Sequence, residues 1–141
     1  MDSTLNLSGG LDGMQQVAAI ESRRALRSGR AFTVVRIGFS ASLPETQRAI
    51  LRLVVAAEVR STDFVHEVCA GELGVMLNET GLHASAAPIA RVRAALERSA
   101  LCLHFSLGSA EAGPGTKRTW QEAWRWAGVL LVADATVPAA A

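Results

Sequence analysis

Apolar and small residues recur with helical spacing over 11–28, where Met14, Ala18 and Ala25 share one face and Arg23, Arg24 and Arg27 lie off it. Gly29 follows as a stop signal. Residues 31–39 then form a β-rich run, Phe-Thr-Val-Val-Arg-Ile, suited to a central strand. Ser42-Leu43-Pro44-Glu45 has capping-box spacing and predicts a helix to about residue 59, with Ile50, Leu53, Val54 and Ala57 on its buried stripe. Two short β-like runs, 64–68 and 72–77, flank Cys69-Ala70-Gly71 and read as a hairpin. Ser85 is placed to cap a further helix that turns Ile89, Val92 and Leu96 inward. Leu101, Leu103, Phe105 and Leu107 alternate strictly and predict a half-buried strand. After a Gly-Pro-Gly loop, Trp120, Ala123, Trp124, Ala127 and Leu131 mark the inner face of a last helix, with Trp126 off that face near Val129.

From 31 to 109 the order is strand, helix, strand, strand, helix, strand. This is the split βαβ, ferredoxin-like plan of an α+β domain: an antiparallel sheet with helices on one face. One helix precedes it and another follows. No internal repeat interrupts the chain, so it reads as a polar lead-in over 1–10, one domain over 11–135 and a short tail over 136–141.

Composition narrows the chemistry. At 141 residues the chain can bury a real core. A formal charge of +1 gives no electrostatic footprint for nucleic acid. Of the 14 basic residues only Lys117 is lysine; arginine suits planar, bidentate recognition of phosphate and guanine, although a GC-rich genome gives the same bias. Cys69 and Cys102 lack metal or redox spacing and read as reduced thiols. His66, His83 and His104 are scattered, so no metal or cofactor is expected. The N-terminus lacks a signal-peptide pattern, and the longest apolar run, 126–133, is far below the ~20 residues of a membrane span; a cytoplasmic location is the expectation.

Several segments fall into register with one family. Gly10-Leu11, the hairpin Cys69-Ala70-Gly71-Glu72-Leu73, Ser106-Leu107-Gly108 and Ala127-Gly128-Val129-Leu130-Leu131 resemble, in order and spacing, the Leu-Thr-Gly-Leu, Gly-Gly-Asp/Glu-Glu-Phe, Ser-Ile-Gly and Ala-Asp-x-Ala-Leu segments of GGDEF domains, the diguanylate cyclases. The resemblance covers roughly 5–135. It implies a nucleotide-cyclase-like fold, and its departures imply lost catalysis. A cyclase needs carboxylates to hold Mg²⁺ against the phosphates of GTP. Where the family writes Asp-x-Asp-x-Phe-Lys, this chain has Arg36-Ile37-Gly38-Phe39-Ser40-Ala41. The loop that supplies an Asn-Asp pair for guanine is about five residues shorter. On the hairpin Gly71 replaces the first acidic residue and only Glu72 remains, read as a solvated carboxylate. No catalytic residue is expected.

One family motif is intact. Arg60-Ser61-Thr62-Asp63 stands five residues before the hairpin, the position of the Arg-x-x-Asp product-binding site of diguanylate cyclases. The resemblance therefore implies a cyclic di-GMP site formed by Arg60, Ser61, Thr62 and Asp63. Arg91 of the following helix is expected to complete it, and Arg93 lies near the buried stripe. A guanidinium can meet guanine O6 and N7 or a phosphate, and a carboxylate can accept the guanine N1–H and amino hydrogens. Cyclic di-GMP stacks with a second copy into an intercalated dimer, which could link two chains. Three functions stay open at this point: a non-catalytic cyclic di-GMP effector signalling through an unidentified protein, a ligand-independent interaction module using the Trp126 region, and a residual GTP sensor using Glu72.

Overall fold

The computed structural model describes residues 10–99 and 104–136. The elements run α1 (Gly10–Ser28), β1 (Phe32–Gly38), α2 (Glu45–Ala56), β2 (Phe64–Cys69), β3 (Glu72–Leu77), α3 (Leu82–Arg98), β4 (Ser106–Ala112) and α4 (Trp120–Thr136). The four strands form one antiparallel sheet in the order β2-β3-β1-β4. This is the expected ferredoxin-like arrangement. The two flanking helices cover the face that α2 and α3 leave open.

Strand alternation divides the core into two layers. Phe32 and Val34 of β1, with Met76 of β3, meet Met14 and Ala18 of α1 and Trp120, Ala123 and Trp124 of α4. Val35 and Ile37, with Val75, meet Leu51 and Val55 of α2 and Val92 and Leu96 of α3 on the other face. Because both faces of the sheet are covered, β1 reads as an almost unbroken apolar run. Gly29 closes α1 in the left-handed region at φ 73°, its amide donating to the Ala25 carbonyl at 2.8 Å.

Four expectations change. The strand predicted from the 101–107 alternation begins only at Ser106; Leu101, Cys102 and Leu103 lie outside the described residues. Its sequence, Ser-Leu-Gly-Ser-Ala-Glu-Ala, is poor in β-branched residues because α4 lies too close over it for bulk. In α2 the buried positions are Leu51 and Val55, whereas Ile50 is 47 % and Leu53 68 % exposed. The run Leu-Val-Val-Ala-Ala is apolar on every side, so periodicity could not set its phase. Ser42 does not cap this helix; Pro44 occupies the N-cap, and the Ser42 hydroxyl meets that of Ser40 at 2.8 Å. Nor does Ser85 cap α3. The N-cap is Gly81, and Ser85 is buried inside the first turn, donating to the Leu82 carbonyl at 2.6 Å. The free amide of Leu82 is satisfied instead by Glu111 of β4 at 2.8 Å, a partner 29 residues away. Of the predicted lead-in and tail, 1–9 and 137–141 lie outside the described residues.

Candidate functional site

The turn after α2 carries the Arg-x-x-Asp motif. The Asp63 side chain is 2 % exposed, that of Arg60 58 %. Asp63 Oδ1 accepts the amide of Asn78 at 2.9 Å and Arg60 Nη2 at 3.3 Å, while Oδ2 accepts the Arg60 amide at 2.9 Å and Arg60 Nε at 3.4 Å. Four donors use the full acceptor capacity of a carboxylate. The two backbone donors pin the turn to the end of β3. The two guanidinium donors form the outward cover of the carboxylate. Arg60 Nη2 also donates to the Asn78 carbonyl and, at 2.8 Å, to the Thr80 hydroxyl. Sequence reasoning missed Asn78 and Thr80 because only the β2–β3 pairing brings them under the turn.

An open groove of ≈ 550 Å³ runs beside the turn, walled by Arg52, Leu53 and Ala56 of α2 and by Phe64 and Val65 of β2. Arg60, Ser61 and Asp63 close one end. Arg91 reaches the carbonyl of Glu58, two residues ahead of Arg60, at 3.4 Å. Arg93 points elsewhere: it pairs with Asp134 of α4 at 3.3 Å, and Asp134 also accepts the Leu107 amide of β4 at 2.7 Å. Beneath the region, Glu21 of α1 is buried and its carboxyl is held above the usual carboxylate range, chiefly by burial. Arg24 opposes that shift, and the charges of Glu79 and Asp63 add to it.

The hairpin end holds a different arrangement. Arg36, on the central strand, has Gly74 and Gly108 as its cross-strand neighbours, and Gly128 of α4 lies over it. Gly128 leaves room for the guanidinium: a Cβ there would lie 2.5 Å from Arg36 Nη1. Arg36 Nε and Nη2 meet both oxygens of Glu72 at 2.6 and 3.0 Å, and Nη1 donates to the Trp124 carbonyl at 3.0 Å. Its guanidinium carbon lies 4.5 Å from the centroid of the Trp124 ring. Glu72 is therefore not the solvated carboxylate that its hairpin position suggested. Its side chain is 13 % exposed and bound bidentately to a cation. The sign of that pairing was legible, since Arg36 and Glu72 sit diagonally on paired strands, but the register had to be known first. Ahead of Gly71 the chain itself fills the space: a Cβ there would lie 3.2 Å from the Phe39 carbonyl oxygen and 3.3 Å from Ala41 Cα.

A Mg²⁺ site of the cyclase kind needs several free carboxylates. The hairpin offers Glu72 alone, already neutralised by Arg36. Among the described residues no three His, Cys, Asp or Glu side chains gather into a metal-binding group. The residues present do not fit the metal. Cys69 is exposed, and His66 stacks on Phe64 at 5.5 Å between ring centroids. On α4, Trp126 is 45 % and Val129 55 % exposed, so the off-stripe position predicted for Trp126 stands. Arg118 lies over that ring at 5.8 Å. Among the described residues no helix is long and apolar enough to cross a membrane.

No family model matches the sequence, and no curated protein is similar to it. Solved structures are. The diguanylate cyclase SiaD of Pseudomonas aeruginosa, solved in complex with its activator SiaC, superposes with a TM-score of 0.73 at 17 % identity over 86 % of this chain. The chain spans about half of SiaD, 52 % of its length. The GGDEF domain of FimX from Pseudomonas aeruginosa gives 0.68 at 12 % identity over 94 % of each chain. The GGDEF domain of DgcB from Caulobacter crescentus, solved with c-di-GMP, gives 0.69 at 14 % identity over 94 % of this chain and 88 % of that one. At these identities the likeness speaks for architecture alone, and it agrees with the element order read from the sequence: this chain has the fold of the GGDEF domains of diguanylate cyclases.

Proposed function

We propose that this chain is a non-catalytic cyclic di-GMP effector that binds the dinucleotide at Arg60, Ser61, Thr62 and Asp63, with Arg91 completing the site. One contrast carries this reading. The hairpin carboxylate is locked to Arg36, while the turn keeps an exposed guanidinium at the mouth of a groove. Recognition then works by exchange. A guanine or phosphate draws the Arg60 guanidinium off Asp63, which frees two acceptor positions on a carboxylate that the Arg60 and Asn78 amides hold in place. Those positions face the N1–H and amino donors of the same guanine. Arg91, tied among the described residues to the Glu58 carbonyl alone, is available to a phosphate of the same ligand or of a stacked second copy. The c-di-GMP complex of the similarly folded DgcB domain supports the ligand class.

Arg60→Ala removes a charged hydrogen-bonding partner worth about 1.5–3 kcal/mol, so affinity for cyclic di-GMP should fall about tenfold to a hundredfold by calorimetry. Stability should fall by only about 1 kcal/mol, because Asp63 keeps two amide donors. Asp63→Ala is a poor binding probe, since it strips the turn of a buried anchor with four donors. Asp63→Asn keeps the shape and one of the two amide anchors, turns the other acceptor into a donor, and should let cyclic di-AMP gain on cyclic di-GMP, because adenine N1 accepts where guanine N1–H donates. Absence of wild-type binding at about 100 µM nucleotide, roughly −5.5 kcal/mol, would overturn the reading.

Catalysis is tested separately. Protein incubated with GTP and Mg²⁺ or Mn²⁺ should form no cyclic di-GMP. Protein-dependent turnover that disappears in Glu72→Ala would restore the enzyme reading.

A second reading rests on α4. Trp126, Val129 and Val132, at 45, 55 and 61 % exposed, give it an apolar outer surface suited to a protein partner. The SiaD–SiaC complex shows that a protein of this fold can be solved with a protein activator. An effector needs such a partner, so both readings can hold together.

A further inference from the structure

Resting on the reading that the 60–63 turn binds cyclic di-GMP, we infer that Arg52 of α2 is a further ligand-binding residue, contacting a phosphate from the α2 wall of the same groove.

The groove beside the turn is ≈ 550 Å³, within the range of small-molecule sites of about 300–1,000 Å³. Its lining includes two arginines, Arg52 and Arg60, and one carboxylate, Asp63. That carboxylate is buried and held by the Arg60 and Asn78 amides, and its two outer positions take the guanine donors, so the phosphates fall to the arginines. Arg60, once drawn off Asp63, meets the base and does not serve both phosphates as well. Arg91 is assigned one phosphate, so a ligand with two phosphates leaves the second to a further cation within reach.

The arginines of α2 differ in their availability. Arg48 is taken up: its Nε meets Glu67 Oε2 at 2.8 Å and its Nη1 donates to the Leu43 carbonyl at 2.9 Å. Arg52, one turn further along, is exposed and forms no hydrogen bond or ion pair among the described residues. Leu53 beside it is 68 % exposed and continues the same wall. A cation next to a solvent-facing leucine suits a nucleotide, whose phosphate takes the charge while a base or ribose covers the apolar surface. No feature of the motif itself points to Arg52. It enters only because α2 and β2 pack to form the groove.

The test is calorimetric titration with cyclic di-GMP of the wild type, Arg60→Ala, Arg52→Gln, Arg52→Lys and the distant control Arg27→Gln. Gln keeps helix propensity at an exposed site, so the unfolding midpoint should not move. Arg52→Gln should bind about fivefold to thirtyfold more weakly at low salt, as expected for a lost hydrogen bond to a charged group. That deficit should shrink toward about twofold in 1 M salt, where exposed charges are screened beyond about 3 Å. Arg52→Lys should stay within about threefold of wild type and Arg27→Gln should match it, both judged against the same charged-bond scale. Wild-type affinity in Arg52→Gln, with weakened binding in Arg60→Ala, would overturn the role of Arg52 and leave the motif site standing. An equal loss in Arg27→Gln would reduce the effect to the general field of the protein and also overturn it. No binding by the wild type would remove the motif reading and this inference together.

Discussion

Trp124→Ala should destabilise the protein by about 3–5 kcal/mol, seen as a lower urea midpoint at unchanged slope. The ring is 8 % exposed and stands at the junction of α4 with the sheet. It packs on Trp120 at 6.3 Å between centroids with a 58° tilt, and it closes over Gly74, whose missing side chain leaves it room. It also covers the Arg36 guanidinium that binds Glu72. Truncation would open a cavity and admit water to that ion pair. Partly buried pairs of this kind depend on such cover, because water weakens the attraction between the charges. Trp126→Ala, two residues along but 45 % exposed, should change stability by less than about 1 kcal/mol while weakening self-association or partner capture. A large loss of stability in Trp126→Ala would place that ring in the core and end the α4 docking reading. A small loss in Trp124→Ala would mean that α4 is not anchored through it.

Gly108→Ala should be comparably severe, about 3 kcal/mol or more. A Cβ at Gly108 would lie 2.0 Å from the Ala127 carbonyl oxygen and 2.4 Å from the Leu131 amide nitrogen. Both obstacles are helix backbone, and no rotamer change relieves them. The helix would have to lift from β4, stretching the Asp134 hydrogen bond to the Leu107 amide and loosening the Trp124 cover over Arg36. Gly81→Ala is the useful comparison. Its nearest obstacle is the flexible Glu111 carboxylate at 3.3 Å, so its cost should stay under about 1 kcal/mol, that of a weakened N-cap. Chemical denaturation of the two variants side by side separates backbone collision from the generic cost of a methyl group. Equal stabilities would show that α4 can settle at a greater distance from the sheet.

At the hairpin end Arg36 and Glu72 form a structural joint between β1 and β3. Arg36 sits where the resemblance places a metal-binding acid, and reversing the charge on a central strand would ordinarily leave a cation under a helix. Here Gly128, a tryptophan and the hairpin glutamate accommodate it. The cross-strand pair and the aromatic cover tie the hairpin to α4, whereas the 60–63 turn lies elsewhere, so the turnover assay and the binding assay address separate questions.

Periodicity alone established most of the architecture, because burial on one face leaves a mark every second residue in a strand and every third or fourth in a helix. Val92 and Leu96, Met14 and Ala18, and Trp120 and Trp124 were all legible in this way. The hairpin and the order of elements followed, and with them the ferredoxin-like plan. The motif at 60–63 was visible only through the family resemblance, which supplies its register to the hairpin. Periodicity failed where the local sequence carried no phase. Apolar residues surround α2 on all sides, so only its docking against α3 and β2 decided that Leu51 and Val55 face inward while Leu53 faces the groove. It failed again at β4, whose small residues answer to the closeness of α4 rather than to strand propensity.

What only the tertiary structure decided are the pairings between residues far apart in the chain. Asp63 is saturated because the end of β3 brings the Asn78 amide to it, and Glu72 is neutralised because strand register places Arg36 beside it. Arg52 lines a groove because α2 and the edge strand β2 lie together beside the motif. Sequence determines which charges a protein owns and which faces they share with their near neighbours. Hydrogen bonds and ion pairs act over about 3 Å, and only the folded chain sets those distances between residues 15 to 36 positions apart.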